Sequence, residues 1–391
     1  MGELLGDIKK HLASIDWFLV IAVFLAMAYG CILIKSATNT ESGQTKLLIV
    51  HGAAIILGTV CMFILSKMDY NHVIKYAQYL YILAVVSLIL TLVIGVGDEI
   101  GVGNKSWIRI PIGGGNTVGL QPSEIVKIIF ILTFAKHLDT VKEEINSPKN
   151  ILLLVLHFVV ILGLVLLQKD LGSALIFIFI FAVMLFAAGA SLWYFLGGLF
   201  MLVASSPLLW RLLSDNQRNR ILVGFDYSLD PQGLGFQPRL SQWAIGSGGL
   251  FGAGYQQGDF TQGNSPHGMI PFQWTDFIYS AAGEEFGFIG AILVLLLLAF
   301  IISRIFMISR NARNTSGSLI CVGVMTIFIA QIVENIGMCL AMLPVIGITL
   351  PFFSYGGSSI LSSLLGIGVV LSVKSRTNIY YFTRDEKLDE Y

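Results

Sequence analysis

The stretch Pro271-Phe272-Gln273-Trp274-Thr275-Asp276-Phe277-Ile278-Tyr279 ends a long polar segment and leads directly into an apolar run of membrane-spanning length. Asp276 therefore stands at the predicted boundary between water and hydrocarbon. A lone carboxylate there stays ionised on its open side and can accept a proton from a group presented at the membrane surface. The alternative is that Asp276 only caps the helix that follows, with help from Thr275.

Two further acids, Glu284 and Glu285, follow shortly after Asp276 and raise the question of a carboxylate pair. If the intervening residues are helical, eight residues rise about 12 Å and nine about 13.5 Å. Productive carboxylate pairs in glycoside hydrolysis lie roughly 5–9.5 Å apart. The spacing excludes a pair, so Asp276 is expected to act alone.

The composition is that of a polytopic, all-α membrane protein. Of the 391 residues, 55% are hydrophobic and only 12% are charged, and the mean hydropathy is +0.79. A soluble protein of this length carries roughly 25% charged residues. The formal net charge of zero argues against a nucleic-acid partner.

Spanning a bilayer takes about 20 apolar residues, and the sequence predicts ten transmembrane helices. The fourth is the weakest, because it is short and contains Glu124 and Lys127. The ten runs are 16–35, 47–66, 76–96, 123–138, 151–168, 171–189, 192–213, 277–303, 317–343 and 357–373.

Ten spans place both termini on one side, and the distribution of positive charge identifies that side. Fourteen of the 24 Lys and Arg residues fall in segments on the side of the termini, and nine on the other side. Four of those nine belong to the long loop and its edge, which counts little in the positive-inside rule. Both termini are thus expected to be cytoplasmic, and residues 1–391 to form a single membrane domain. The loops 97–122, 344–356 and about 214–276, the large loop between helices 7 and 8, are expected outside.

Several charged residues are candidates for a site, each with a structural alternative. Glu124 and Lys127 are three residues apart and share a helix face; an intramembrane ion pair marks either a functional site or a structural contact. Asp170 is expected to cap the sixth helix, where Gly172 permits close packing. Glu334 lies within the ninth span and is expected to face the bundle interior.

Phosphate binding has two kinds of candidate on the outside. The glycine-rich run 246–254 offers backbone N–H groups but lacks the Lys and Ser/Thr of a P-loop, so a series of turns is the alternative. Arg109, Arg218 and Arg220 are better candidates for a pyrophosphate, because a guanidinium binds phosphate oxygens in bidentate fashion. Exposed arginines are often only solvated.

Five motifs together resemble the SEDS (shape, elongation, division and sporulation) family, which includes RodA, FtsW and SpoVE. The short N-terminal region with Asp16-Trp17 is most similar to the RodA branch. The motifs are Gln121-Pro-Ser-Glu124-x-x-Lys127, Gln168-x-Asp170-x-Gly172, Gly246-Ser-Gly248-Gly249-Leu-Phe-Gly252, Thr275-Asp276-Phe277-Ile278 with Glu284-Glu285-x-Gly287, and Pro351-Phe-x-Ser354-Tyr-Gly-Gly-Ser-Ser359.

The resemblance implies a peptidoglycan glycosyltransferase of the bacterial cytoplasmic membrane that polymerises lipid II on the extracellular face during cell elongation. It implies that Asp276 is the essential catalytic residue and that Glu124 and Lys127 form an important pair. The implied partners are a class B penicillin-binding protein and other membrane proteins of the elongation machinery. No cofactor is certain, and a divalent cation, Mg²⁺ or Mn²⁺, is left open. The candidate substrate-binding residues are Lys105, Arg109, Glu124, Lys127, Asp170, Arg218, Arg220, Ser354, Tyr355, Gly356, Gly357 and Ser358.

The sequence departs from the family pattern at three positions. Trp274 stands where a His commonly precedes the Thr-Asp pair, Lys169 replaces a usual Pro, and Glu334 adds an acid to the ninth span. Two other functions remain open. A lipid II flippase would use the intramembrane charges, although no inverted repeat is visible. A non-catalytic scaffold for the penicillin-binding protein would not need Asp276.

Overall fold

The computed structural model describes residues 13–97, 105–113, 116–213 and 215–388; parts of the predicted 97–122 loop, at 98–104 and 114–115, lie outside them. The chain is mainly helical, with one β-hairpin in the described residues. The helices are α1 (Trp17–Ala37), α2 (Gln44–Lys67), α3 (Tyr70–Lys75), α4 (Ala77–Ile94), α5 (Pro122–Val141), α6 (Pro148–Leu167), α7 (Leu171–Ala187), α8 (Leu192–Leu212), α9 (Asp215–Phe225), α10 (Phe236–Ser247), α11 (Asp259–Gln262), α12 (Ile278–Arg310), α13 (Thr315–Cys339) and α14 (Gly357–Leu388). The strands are β1 (Ile108–Gly113) and β2 (Asn116–Leu120), and short 3₁₀ turns cover Lys142–Glu144 and Tyr227–Leu229.

Each of the ten predicted apolar runs coincides with a helix. Among the described residues, seven helices are long and apolar enough to cross a membrane: α1, α2, α4, α6, α12, α13 and the part of α14 up to Thr377. Helices α7 and α8 are apolar but shorter over their apolar part, and α5 carries several charges. The total of ten spans and the positions of the termini stay predictions.

Helices α5, α13 and α14 form the centre of the bundle, and the most apolar helices lie outside them. Buried residues make up 67% of the apolar window of α13 and 72% of that of α14, but only 17% in α2 and α4. This order is the reverse of a soluble protein, because lipid covers the apolar side chains of the outer helices and the inner helices can hold polar groups.

The hairpin β1–β2 departs from the all-α expectation. The strands pair antiparallel, with Ile108 opposite Leu120 and Arg109 opposite Gly119. The sequence contained the signal, since Ile108, Ile110 and Ile112 alternate with other residues before a glycine-rich turn. A search for spans does not register such a short alternation.

The segments 105–113, 116–121, 168–170, 215–277 and 340–356 lie at one end of the bundle, which is called the loop face below. The predicted 214–276 loop has its own structure there, with the helices α9, α10 and α11 and one 3₁₀ turn. Buried contacts fasten this loop to the spans. The buried amide of Gln273 donates to the carbonyls of Ala37 and Thr261, which ties the end of the loop to α1.

Candidate functional site

The uncharged segment 344–356 is a wall of the site at the loop face, and most of its residues from Ile348 onward are buried. Phe352 and Phe353 are buried and pack on Gly30 of α1, where an added Cβ would lie 2.6 Å from the Phe352 carbonyl oxygen. Ser354 Oγ accepts a hydrogen bond from the Leu350 N–H at 2.8 Å. The predicted substrate-binding residue Ser354 therefore fixes a turn of this wall and gives a buried backbone N–H its acceptor.

Asp276 lies in a tight turn immediately before α12. The turn is built on Phe272, which has φ of +53° and whose carbonyl accepts from the N–H groups of Thr275 and Asp276. The helix begins at Ile278, with Phe277 in the N-cap position and no side-chain cap. The interpretation of Asp276 as the helix cap is therefore wrong.

Two hydrogen bonds join the Asp276 turn to its surroundings. Asn335 of α13 donates from Nδ2 to the Asp276 carbonyl at 2.7 Å, and the same nitrogen donates to the Ile348 carbonyl at 2.8 Å. The Tyr355 N–H donates to the Trp274 carbonyl at 2.7 Å. The turn and the wall 344–356 are thereby one unit, and the unusual Trp274 contributes through its backbone.

The half-buried Asp276 carboxylate faces the backbone of the wall at Gly347. Gly347 has φ of +79°, and an added Cβ would lie 3.4 Å from Asp276 Oδ2. The adjacent Tyr355 is half-buried, and its ring lies 5.5 Å from that of His51 in α2, centroid to centroid. Burial raises the pKa of the Tyr355 phenol, so this side chain stays neutral.

A second cluster forms around Asp170 at the start of α7. Its carboxylate accepts from the N–H and hydroxyl of Ser173 at 2.9 and 2.8 Å, which confirms the predicted cap. It also accepts from Gln121 Nε2 at 2.9 Å. The Gln121 N–H in turn donates to Ser358 Oγ at 2.9 Å. Three separate sequence motifs thus meet through side chains.

The two clusters share the wall between them. Gly172 of α7 packs on the wall, because an added Cβ would lie 3.2 Å from both Ile346 and Ile348. Gly356 and Gly357 are half-buried where the wall joins α14. Exposed Lys105 lies at the Asp170 cluster, since its N–H donates to the Gln168 carbonyl at 3.1 Å.

Glu124 and Lys127 form the predicted pair inside the bundle. Lys127 Nζ lies 2.8 Å from Glu124 Oε1, and the lysine side chain is 1% exposed. Ser362 of α14 donates to the Glu124 carbonyl at 2.7 Å. The pair therefore lies at the contact between α5 and α14, one turn beyond Gln121.

The three arginines do not converge. Arg109 is exposed in β1. The Arg218 guanidinium donates to the carbonyls of Trp210 and Arg211 and pairs with Asp215, so it holds the turn between α8 and α9. Arg220 follows on α9, one helical turn before Gly224, which touches Pro344 of the wall. Of the three, Arg220 is the one on the face of α9 that contacts the wall.

The glycine-rich run 246–254 is not a phosphate cradle. Its backbone pairs with α12 where Gly287 breaks the helix, with φ of 64° and ψ of −160°. The N–H groups of Ala253 and Gly254 donate to the main-chain carbonyls of Glu284 and Glu285. The close approach requires glycine, since an added Cβ at Gly252 would lie 2.2 Å from the Glu285 carbonyl oxygen. The interpretation of this run as a series of turns is therefore correct, and the turns form hydrogen bonds with the backbone of α12 where the helix is broken.

The carboxylates of Glu284 and Glu285 bind residues of the long loop and of α1. Glu284 accepts from the N–H groups of Phe260 and Thr261, and Glu285 accepts from Ser36 and Gln262. Both carboxylates thus fasten the long loop, and that Asp276 acts alone stays a prediction. Glu334 is buried, and its Oε1 has no hydrogen-bond partner among the described residues.

Asn335 is the residue of the site that the sequence interpretation missed. It lies one turn from Gln331 on the same face of the ninth span. The structure shows that its amide bridges two separate loops. The only signal in the sequence was an uncharged amide in an apolar helix, which does not identify its acceptors.

Comparison with known proteins agrees with this arrangement. The FTSW_RODA_SPOVE family model, described as "Cell cycle protein", matches residues 12–379. The "Probable peptidoglycan glycosyltransferase FtsW" of Trichlorobacter lovleyi is 31% identical over 376 residues, covering 93% of this chain and 94% of the relative. The "Peptidoglycan glycosyltransferase MrdB" of Escherichia coli K12 is 33% identical over 370 residues, with the same coverage.

A solved structure is also similar over nearly the whole chain. It is described as "Structural coordination of polymerization and crosslinking by a peptidoglycan synthase complex", and the match has a TM-score of 0.78 and 31% identity, covering 93% of this chain and 98% of that one. The motifs that met in the structure are those by which the sequence resembled this group. The chain belongs to the FtsW/RodA/SpoVE family.

Proposed function

We propose that this protein is a glycosyltransferase that polymerises lipid II into peptidoglycan strands during cell-wall elongation, with Asp276 as general base. The observation that supports this most is the fixation of the Asp276 turn by Asn335 and Tyr355, with the carboxylate half-buried rather than capping a helix. The names of the relatives support the reaction class.

The depth of Asp276 suits a substrate with a lipid tail and a polar headgroup. Along α12, Ile278 is 26 residues from Arg304, so the two are separated by at most about 39 Å. The hydrocarbon core is about 30 Å thick. If Arg304 marks one edge of that core, this length allows Asp276 to reach headgroup level at the other edge, where a lipid-linked sugar pyrophosphate is held.

The proposed reaction transfers one glycosyl group. Asp276 takes the proton of the acceptor sugar's 4-hydroxyl as that oxygen attacks the anomeric carbon of the donor. The bond from the anomeric carbon to the pyrophosphate oxygen breaks, and undecaprenyl pyrophosphate leaves with the bonding electrons. A sugar hydroxyl is a poor nucleophile at neutral pH, and a positioned base contributes roughly 10²–10⁴ in rate.

Binding of the pyrophosphate is assigned to basic side chains at the loop face. Exposed Lys105 beside the Asp170 cluster and Arg220 on α9 are the strongest candidates, followed by Arg109. Among the described residues, no three His, Cys, Asp or Glu side chains lie close enough together to hold a metal ion. A divalent cation would bind mainly through the substrate phosphates, which leaves Asp276 as the base.

We place the protein in the cytoplasmic membrane with the loop face outside, working with a class B penicillin-binding protein that cross-links the strands. The similarity to a chain of a peptidoglycan synthase complex supports such a partner. In this arrangement the polymer leaves the site on the side where the transpeptidase acts.

The test is Asp276→Asn in a polymerisation assay with purified lipid II, with Asp226→Asn as the matched control. Both acids lie in the same long loop, but Asp226 is exposed and only binds Ser228. We expect loss of polymer for the first variant alone, with unchanged thermal unfolding. Full activity of Asp276→Asn would refute the role of the base. Lipid II translocation without polymer would identify a flippase, and neither activity would identify a scaffold.

A further inference from the structure

The turn at residues 249–252 projects an exposed apolar tip from the long loop. Leu250 and Phe251 are 64% and 78% exposed, and beside them on α12 Phe288 and Ile289 are 59% and 54% exposed. The pairing is direct, since the Phe288 N–H donates to the Gly249 carbonyl at 2.8 Å and the Ile289 N–H to that of Leu250 at 3.3 Å. The tip and this part of α12 therefore form one surface, called the apolar tip surface below.

The depth of this surface follows from the opposite end of α12. Arg304 pairs there with Asp16, the residue that caps α1, and no charged residue occurs from 286 to 303. Phe288 is 16 residues from Arg304 along regular helix, or about 24 Å. The hydrocarbon core is about 30 Å thick, so Phe288 lies inside it.

A second helix gives a similar depth, measured from the other member of the same ion pair. Tyr29 is 13 residues beyond Asp16 in α1, which places it about 20 Å from the same edge. Its ring contacts that of Phe286, with centroids 5.5 Å apart. The start of the apolar tip surface is therefore level with a residue well inside the first span.

The composition of the turn and its flanks fits this depth. No charged residue occurs from 240 to 258, whereas the loop on either side contains Arg239 and Asp259. The backbone of this segment is also compatible with hydrocarbon. Around Gly287, the N–H and C=O groups of the turn and of the broken helix form hydrogen bonds with each other. Unpaired backbone groups at that depth would each cost several kcal/mol.

We propose that Leu250 and Phe251 insert into the acyl-chain region of the bilayer beside α12, so that the turn 249–252 anchors the long loop in the membrane. The partner is lipid hydrocarbon, since the surface carries no group that would recognise a headgroup. The anchor is linked to the site by hydrogen bonds from the N–H groups of Ala253 and Gly254 to the main-chain carbonyls of Glu284 and Glu285. These two carbonyls lie in the first two turns of α12, the helix that directly follows Asp276.

The experiment measures the depth of a nitroxide label at residue 251 in the full-length protein, reconstituted in nanodiscs of phosphatidylethanolamine and phosphatidylglycerol. The four native cysteines are replaced, and Phe251→Cys is compared with Leu229→Cys, since Leu229 is also well exposed (61%) but lies in the 3₁₀ turn of the loop. We expect the label at 251 to collide more often with oxygen than with a water-soluble nickel chelate, and the label at 229 to show the reverse. Equal behaviour of the two labels, or shielding of residue 251 from both reagents, overturns the proposal.

A second measurement needs no cysteine replacement, so it tests the proposal even where the cysteine-free protein does not fold. Phe251→Trp and Leu229→Trp each add one indole to the six native tryptophans. Lipids brominated on the acyl chain should quench the additional fluorescence of the first variant and spare that of the second. Equal quenching in the two variants contradicts insertion. Neither readout depends on the proposed enzymatic activity.

Discussion

The side-chain amide of Asn335, in α13, donates to the main-chain carbonyl of Asp276 at 2.7 Å. The same nitrogen holds Ile348 of the wall. One amide thereby fixes the distance between the proposed base and the segment that its carboxylate faces. Preorganisation of this kind is what a catalytic group needs to act at a defined distance.

We therefore predict that Asn335→Leu reduces polymerisation strongly and lowers stability. Two carbonyls lose their donor, and each buried unsatisfied group costs roughly 1–3 kcal/mol. Initial rates and thermal unfolding midpoints should be measured together. The control is Cys339→Ser, because Cys339 approaches the Asp276 carbonyl only through a weak contact at 3.7 Å; this variant should behave like the wild type. An active Asn335→Leu enzyme would show that the bridge is dispensable.

The glycine-rich run offers a comparison within seven residues. Gly252 has φ of +83° and no room for a Cβ, whereas an added Cβ at Gly246 meets nothing within 4 Å. Gly252→Ala should lower the free energy of unfolding by at least roughly 1–3 kcal/mol, the cost of a strained backbone. Gly246→Ala lies within α10 and should be neutral or slightly stabilising. Similar unfolding midpoints for the two variants would contradict the pairing with α12.

Much of the helical layout was predictable, because the apolar runs are long and each coincides with a helix. Capping at Asp170 and pairing of Glu124 with Lys127 were predictable too, since both are contacts between residues three apart. Local spacing contains the information for such contacts.

What the sequence could not supply is contact between distant segments. The bond from Asn335 to Asp276 joins residues 59 apart, and that from Gln121 to Ser358 joins residues 237 apart. The glycine-rich run was ambiguous for the same reason, because only its position against the broken α12 shows which acceptors its N–H groups serve. The resemblance to a family pointed to the right motifs but not to the contacts among them.

The Glu124–Lys127 pair allows a double-mutant test of its role. Lys127→Met or Glu124→Gln alone leaves one partner buried without the other, and removing one member of a buried pair costs roughly 3–5 kcal/mol. The double variant should regain most of the lost stability. If the pair also serves the reaction, polymerisation stays low in the double variant although the protein is stable. Recovery of activity along with stability would assign the pair a structural role only.

Asp170 combines a helix cap with a contact to Gln121, and two substitutions separate its cap from its charge. Asn is as good an N-cap as Asp, so Asp170→Asn should leave the unfolding midpoint almost unchanged, while Asp170→Ala should cost roughly 0.5–2 kcal/mol. If the negative charge matters for orienting Gln121 and the nearby Ser358, Asp170→Asn should still impair polymerisation, because its amide nitrogen in place of one carboxylate oxygen removes an acceptor. The ratio of rate loss to stability loss is the informative quantity. A rate that falls only with stability in both variants would mean that Asp170 acts solely as the cap of α7, and would remove it from the proposed substrate-binding residues.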